Sequence, residues 1–467
     1  MSISASNPSQ HNKASQSALW GKQTQLSLKY FDIGSHRFSI DFIHAYISIK
    51  RACAQVNNNE GLLSEDNRNA IQLACDKLGI EDYTKQFPLS VWQTGSGTQT
   101  NMNVNEVVAS IANTIKETSE STQDNSQQLS EKVHPNDHVN LSQSSNDTFP
   151  SAMHIVVALL TRDKLLNSLS HLSKILDDKQ QELTKEFTVG RTHLMDALPV
   201  PASSIFSGYL AQLSLAKSAI EDSLVAVYQL AIGGTAVGGG DNAPPQFGEK
   251  VAALLAEQYQ LPFVANDNAY AAVSGEDASL RYSSALKQLA SVLFKIANDF
   301  RLLGSGPRCG FNEWLLPANE PGSSIMPGKV NPTQCEALSM VCLQVFGNDL
   351  TVSLAASNGQ LQLNTYRPVI IHNLMESIEL LTDAMHSFAD NCIAGLSLNH
   401  AQIKTNMQQN LSIITVLAPT LGYDVATQIV HEANNNNTSL AQAAQTLGLY
   451  SCEEFDALLT THLNNKR

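Results

Sequence analysis

Over residues 151–187 the chain has no Gly or Pro, and apolar side chains fall at Ile155, Leu159, Leu166, Leu169, Leu172, Leu176 and Leu183. Gaps of three, four and seven place these residues on one helical face, so the spacing predicts a long helical segment. The same period returns over about 204–231, 276–303, 333–355 and 369–388. The stretches GRTHLMDALPVP, GGTAVGGGDNAPP, GSGPRCG and SNGQ lie between these segments and read as turns. Helices well above the globular average of about 11–12 residues imply a long bundle, antiparallel where the turns are short. From Phe38 to Leu78 the pattern predicts short helices broken at NNNEG, residues 57–61. Shorter helices and an Asn run at 434–437 mark a small terminal domain. No strand-rich block and no internal repeat is visible. The fold class is therefore all-α: a disordered polar tail at 1–18, an N-terminal domain at 19–145, a central helical bundle at 146–395 and a small helical domain at 396–467.

Composition sharpens this picture. Hydrophobic residues make up 43% of the 467 and aromatics only 6%. Closely packed helices suit that bias, whereas a β-sandwich favours aromatic and β-branched residues. The formal charge of −14 repels nucleic acid and anionic lipid, so neither is expected as a partner. An anionic substrate would need a local island of positive potential, built from polar loops, helix N-termini and a few cations. Seven cysteines, with no C-x-x-C, predict reduced buried thiols rather than disulfides or a zinc site. No apolar run reaches the roughly 18 residues that span a membrane. The N-terminus lacks the apolar core of a secretory signal, so a cytoplasmic location is expected.

Four polar segments carry the candidate chemistry. The first, GSSIMPGKVNP at 322–332, is either a flexible connector or a site. Adjacent backbone N–H groups at Gly322, Ser323 and Ser324 can stabilise a negative oxygen, and Lys329 and Asn331 can hold a carboxylate. The helix predicted from Thr333 adds its N-terminal dipole there. The second, GRTHLMD at 190–196, offers His193, which taken alone reads more readily as a structural histidine than as a catalyst. The third, TGSGTQTNMNVN at 94–105, is either a solvated polar loop or a helix start lined with small hydroxyls and amides. The fourth, HPNDHVNLSQSSN at 134–146, ends in Ser144, Ser145 and Asn146, which read as a helix N-cap. A capped N-terminus also binds anions, so those two readings are compatible. No metal cluster and no dinucleotide fingerprint is evident; the Gly238-Gly239-Gly240 run lacks the spacing. Such groups fit removal of a proton next to a carboxylate without a cofactor.

These segments resemble the class II fumarase family of the fumarase/aspartase superfamily. GSSIMPGKVNP looks like the superfamily signature, and the resemblance runs nearly end to end. It takes in LWGKQTQLSL (19–28), WQTGSGTQTNMNVNEV (92–107), VHPNDHVNLSQSSND (133–147), GRTHL (190–194), GGTAVG (233–238), KIANDFRLLGSGPRCG (295–310), NPTQCEALSMVCLQVFGND (331–349) and LGYD (421–424). The resemblance implies a homotetramer whose central domains form a twenty-helix core, with each active site drawn from three subunits. It implies reversible, cofactor-free hydration of fumarate to L-malate, by anti addition of water through an aci-carboxylate, as in the tricarboxylic acid cycle. Ser323 would be the base, Lys329 and Asn331 would hold the aci-carboxylate, and His193 paired with Glu336 would handle the water. Ser96, Gly97, Thr98, Ser144, Ser145, Asn146, Thr192, Ser324 and Val330 would bind substrate. His134, Pro135, Asn136 and Asp137 match the family's accessory anion site, but Glu131 stands where the family usually has Arg, which should weaken anion binding. Further departures are LMDALPVPASSI at 194–205, Asn268-Ala269-Tyr270-Ala271 and Gln362. Aspartate ammonia-lyase and a catalytically silent structural homologue are the competing readings.

Overall fold

The computed structural model describes residues 18–120, 131–320, 322 and 325–464. Residues 1–17 of the expected tail, and Ser323 and Ser324, lie outside the described residues. The helices in chain order are α1 (Lys22–Tyr30), α2 (Ile40–Asn59), α3 (Glu65–Ile80), α4 (Thr98–Glu120), α5 (Ser145–Leu160) and α6 (Leu166–Glu182). A hairpin of β1 (Phe187–Thr192) and β2 (Met195–Pro201) precedes α7 (Ala202–Val227), α8 (Phe247–Tyr259) and α9 (Ala269–Ser274). Then come α10 (Asp277–Leu303), α11 (Thr333–Ala356) and α12 (Arg367–Phe388). The chain closes with α13 (His400–Gln409), α14 (Ile414–Leu421), α15 (Tyr423–Asn436), α16 (Leu440–Thr446) and α17 (Cys452–Asn464). The long helices predicted from the apolar period are all present.

Three local readings change. The first concerns α2, which continues through Asn57–Asn59 instead of breaking there. Asn57 is fully buried; its amide donates to Leu141 O at 2.9 Å and its Oδ1 accepts from Ser142 Oγ at 2.8 Å. A polar residue in this helix thus serves a neighbouring loop rather than water. The second concerns residues 190–201, which form most of a hairpin rather than a simple turn. The strands pair antiparallel from Phe187 with Pro201 to Thr192 with Met195, with an irregularity between Val189 and Arg191. Gly190 sits in that irregularity because a Cβ there would lie 2.5 Å from Leu198 O. The third concerns α11, which is long and apolar enough to cross a bilayer by length and composition alone. A search for an unbroken apolar run overlooks it because polar residues interrupt it. Cys335, Leu338, Cys342 and Val345 are buried, while Met340, Leu343, Leu350 and Leu354 stay exposed.

The described residues divide into two compact units. One comprises Met1–Val157, Ala226–Ser279 and Ser353–His372; the other comprises Ala158–Val225, Leu280–Val352 and Asn373–Arg467. In the first, Phe42, Tyr46 and Phe149 pack edge to face, with ring centroids 5.1–6.0 Å apart. In the second, Trp314 stacks on Phe206 at 5.4 Å and meets Phe300 edge-on at 4.7 Å. The same unit holds a separate apolar cluster at the C-terminus, with Leu417, Ile429, Ala433, Ala443 and Phe455 at its centre. Its helices are locally specified: Ser439 and Gln442 form a reciprocal capping box at α16. The seven cysteines are free, but Cys309 is exposed and Cys452 half-buried, so the expectation of buried thiols holds for the other five.

The C-terminal cluster depends on Phe455, which is 2% exposed. Phe455→Ala should destabilise it by about 3–5 kcal/mol. Limited proteolysis should then cut within residues 411–464 at lower urea than in the parent chain; an unchanged cleavage profile would show that the cluster does not rest on this ring.

Candidate active site

Two polar segments meet at the starts of α4 and α5. Ser144 caps α5: its Oγ accepts from Asn146 N at 3.1 Å, while Ser144 N donates to Asp147 Oδ1 at 3.0 Å. Hydroxyls from the two helix starts form a chain, Ser96 Oγ to Thr98 Oγ1 at 2.8 Å and Thr98 Oγ1 to Ser145 Oγ at 2.6 Å. Ser96 and Ser145 are nearly buried, whereas Thr98 is exposed. Gly97 has φ +74°, and a Cβ there would lie 2.0 Å from the Phe149 ring, so no other residue fits. Two helix N-termini therefore present hydroxyls and N–H dipoles together, the arrangement that binds carboxylates.

Buried charges hold this geometry. Arg367, 0% exposed, pairs through Nε with Glu276 Oε1 at 2.7 Å. Its Nη1 donates to Asn146 O at 2.8 Å, its Nη2 to Val273 O at 2.5 Å and its backbone N to Gly95 O at 3.1 Å. Asn146 O is free to accept because Pro150, four residues on in α5, has no N–H to offer it. Asp147 is the second anchor, accepting at Oδ2 from Gly233 N at 3.1 Å and Thr235 N at 2.9 Å. Burial pushes its carboxyl up to about 6 despite those bonds. Lys50, also fully buried, donates to Asn101 Oδ1, Asn140 Oδ1 and Gln143 Oε1 at 2.7, 3.0 and 2.9 Å. Desolvation pushes this amine down to about 8. It ties the third polar segment to the fourth.

The hairpin presents the next group. His193 and Leu194 link β1 to β2 with φ of +57° and +60°, the left-handed pair of a two-residue hairpin turn. Neither residue is Gly or Asn, so the turn is strained and is held by its surroundings. Glu313, fully buried, supplies the hold: it accepts from Thr188 Oγ1 at 2.9 Å, Arg191 Nη1 at 3.1 Å and Asn406 Nδ2 at 2.7 Å. Thr192 and His193 stand exposed at the tip.

In the signature segment, Lys329 N donates to Met326 O at 3.2 Å, and Gly328 has φ +79°. A side chain on Gly322 would collide with Lys329 O, so these two residues sit close together. Lys329 and Val330 are exposed, Asn331 and Glu336 half-buried, the last in the first turn of α11. Among the described residues, the side chains of Thr192, His193, Lys329, Asn331 and Glu336 have no hydrogen-bond or ion-pair partner. The His193–Glu336 pair is thus not made within the chain.

The accessory segment is a wide helical turn at Pro135–Val139, within which Asn136 is exposed. His134 Nδ1 lies 3.0 Å from Asp137 Oδ2, and His138 Nε2 lies 3.6 Å from Glu131 Oε1. The Glu131 side chain is 74% exposed and adds negative charge beside His138.

Residues 11–347 match the family model described as lyase, and residues 413–462 match that described as fumarase C C-terminus. The fumarate hydratase class II of Thermosynechococcus vestitus is 49% identical over 437 residues, covering 94% of this chain and 92% of that protein. The chain belongs to the class II fumarase family. Fumarate hydratase class II 1 of Pseudomonas aeruginosa is 50% identical over 439 residues, covering 94% of this chain and 93% of its own. The crystal structure of class II fumarase from Schistosoma mansoni superposes with TM-score 0.88 at 42% identity, over 95% of each chain. That of a fumarate lyase:delta crystallin from Brucella melitensis, bound to cobalt, gives TM-score 0.89 at 34% identity, over 96% of this chain and 95% of its own. The fumarase/aspartase fold expected from the sequence is the fold observed. Within this class II fumarase, sequence reading did not single out Lys50, Asp147, Glu276, Glu313 or Arg367 as positioning residues.

Asp147 sets a pH dependence of stability. Its carboxyl is raised from 3.8 to about 6 in the folded chain, so the fold holds this proton more tightly than the unfolded chain does. That contribution favours folding below about pH 3.8 and is lost as pH rises through about 6. Asp147→Asn should flatten the change in Tm across this window; a slope identical to the parent's would place the titration elsewhere.

Proposed function

We propose that this class II fumarase is a fumarate hydratase, which interconverts fumarate and L-malate by anti addition and removal of water. The observation that carries the reading is near full-length identity of 49–50% to proteins named fumarate hydratase class II. The residues expected for the chemistry are all present. In the malate-to-fumarate direction, Ser323 as alkoxide takes the C3 proton. The electron pair moves into the adjacent carboxylate, and Lys329 and Asn331 hold the aci-carboxylate that forms. The pair then returns to form the double bond as the C2 hydroxyl leaves, taking a proton from His193 to depart as water. Glu336 of another protomer orients that imidazole. Ser96, Thr98, Ser144, Ser145, Asn146, Thr192 and Ser324 bind the carboxylates and hydroxyl, with Gly97 and Val330 shaping the walls. No cofactor takes part.

The enzyme works as a homotetramer whose active sites each draw on three protomers. Two features support this. The exposed apolar positions of α11 need covering, as a helix hydrophobic all round belongs in a core. The partnerless side chains of His193, Lys329, Asn331 and Glu336 likewise await groups from other copies. The division into domains at 19–145, 146–395 and 396–467 belongs to the same reading, supported by the separate apolar cluster of the last segment. The enzyme resides in the cytoplasm and meets small dicarboxylates, not nucleic acid or membrane.

Purified protein given L-malate should develop the fumarate absorbance band, and L-aspartate should leave the spectrum unchanged. A response to aspartate alone would make it an ammonia-lyase, and no response to either a silent homologue. Ser323→Ala should lose most turnover while still binding malate, and His193→Asn should cut kcat by at least about a hundredfold. Near-normal kcat in either variant refutes the role given to that residue. The His134–Asp137 segment should bind anions weakly because of Glu131. By titration calorimetry, Ser323→Ala should bind one malate class per chain, and the Ser323→Ala, Glu131→Arg double variant should gain a second. Two classes of comparable strength without the Arg would contradict this.

A further inference from the structure

Outside every residue assigned to the reaction, two imidazoles and a carboxylate meet on the second unit. His171 lies on α6, His386 in the last turn of α12, and Asp390 in the wide turn Ala389–Ile393 that follows. One donor atom from each can be chosen so that all three lie within 4.8 Å of one another. His171 Nε2 is 2.7 Å from Asp390 Oδ1. The His171 and His386 rings stand 5.0 Å apart, their planes inclined by 31°.

The frame under these side chains is rigid. Leu169, Leu172, Met385, Phe388, Ala389 and Ile393 are essentially inaccessible, so the backbone on both sides is fixed. The turn after α12 widens to a π turn, closed by Ala394 N donating to Ala389 O at 3.0 Å. Such turns interrupt helices frequently at functional sites. Here the turn begins between His386 and Asp390 and sets the carboxylate against the facing His171. A surface His–Asp hydrogen bond alone needs only His171 and Asp390; it does not account for His386 on the same spot.

We propose that His171, His386 and Asp390 bind a divalent transition-metal ion of the zinc class. Two imidazole nitrogens and one carboxylate oxygen are the donor set that Zn²⁺, Co²⁺ and Ni²⁺ accept and that Mg²⁺ and Ca²⁺ do not favour. His171 is 35% and Asp390 56% exposed in their side chains, which leaves one side open for water to complete the shell. The ion replaces the hydrogen bond between His171 and Asp390, so Nε2 gives up its proton to solvent or to Nδ1 as it turns its lone pair to the metal. Bound there, the ion clips α6 to the end of α12 and acts on stability, not on the hydration chemistry.

Protein stripped with EDTA should be titrated with Zn²⁺ by calorimetry and with Co²⁺ by visible absorbance. We expect one saturable equivalent per chain, a higher Tm with Zn²⁺ present, and no comparable response to Mg²⁺. His171→Ala and His386→Ala should each weaken binding by at least about tenfold. Both should leave the malate-dependent absorbance change at its parental rate, which also confirms that the variants are folded. Absence of a saturable equivalent in the parent, or full binding by the His171→Ala, His386→Ala double variant, would overturn the proposal.

Discussion

A guanidinium and a carboxylate closed away from water, Arg367 against Glu276, form the constraint from which the geometry of the polar helix starts follows. Such a pair adds little net stability, since desolvation of both charges offsets their attraction. Its consequence is direction. Once Glu276 has fixed the guanidinium, the remaining donors reach Asn146 O and Val273 O, and the adjacent backbone N–H takes Gly95 O. Three stretches of chain far apart in sequence are thereby pinned to one another. Pro150 completes the arrangement by leaving a carbonyl unclaimed within α5.

This frame explains how a protein with a formal charge of −14 can receive a dianion. In the proposed site, hydroxyls and helix N-termini receive the substrate rather than a field of surface cations. Lys50, the cation below it, is wrapped by three amide carbonyls and so cannot pair with the substrate itself. In the proposed site the formal cation facing the substrate is instead Lys329, exposed and without a hydrogen-bond or ion-pair partner among the described residues. The strained tip of the hairpin follows the same logic: backbone energy is spent to stand His193 clear of its own chain, with Glu313 bracing the base.

The long helices were legible because their apolar period survives unbroken, and the N-cap at Ser144 because its residue types are those that cap helices. The hairpin was not, since Gly190, Pro199 and Pro201 signal turns whether or not Thr188 pairs with Val200 and Val189 with Pro199. Candidate side chains of the signature segment, Lys329 and Asn331 among them, follow from residue type and family resemblance. The positioning charges do not: nothing in sequence separates buried Arg367 or Glu313 from any surface Arg or Glu. A Pro one turn into a helix, as at Pro150, is the one local mark that a carbonyl nearby needs a donor. The His171–Asp390 contact spans 219 positions, beyond the reach of any spacing rule.

In the proposed site the helix starts held by Arg367 receive one carboxylate of the substrate, while Lys329 and Asn331 of a neighbouring copy receive the other. A crystal structure of the assembled protein with L-malate bound to the Ser323→Ala variant tests it most directly. One carboxylate is expected within hydrogen-bond distance of Thr98 and Asn146, and the other beside Lys329 and Asn331 of another protomer. Malate bound elsewhere, or Lys329 of every protomer remote from the hydroxyl chain, would contradict it.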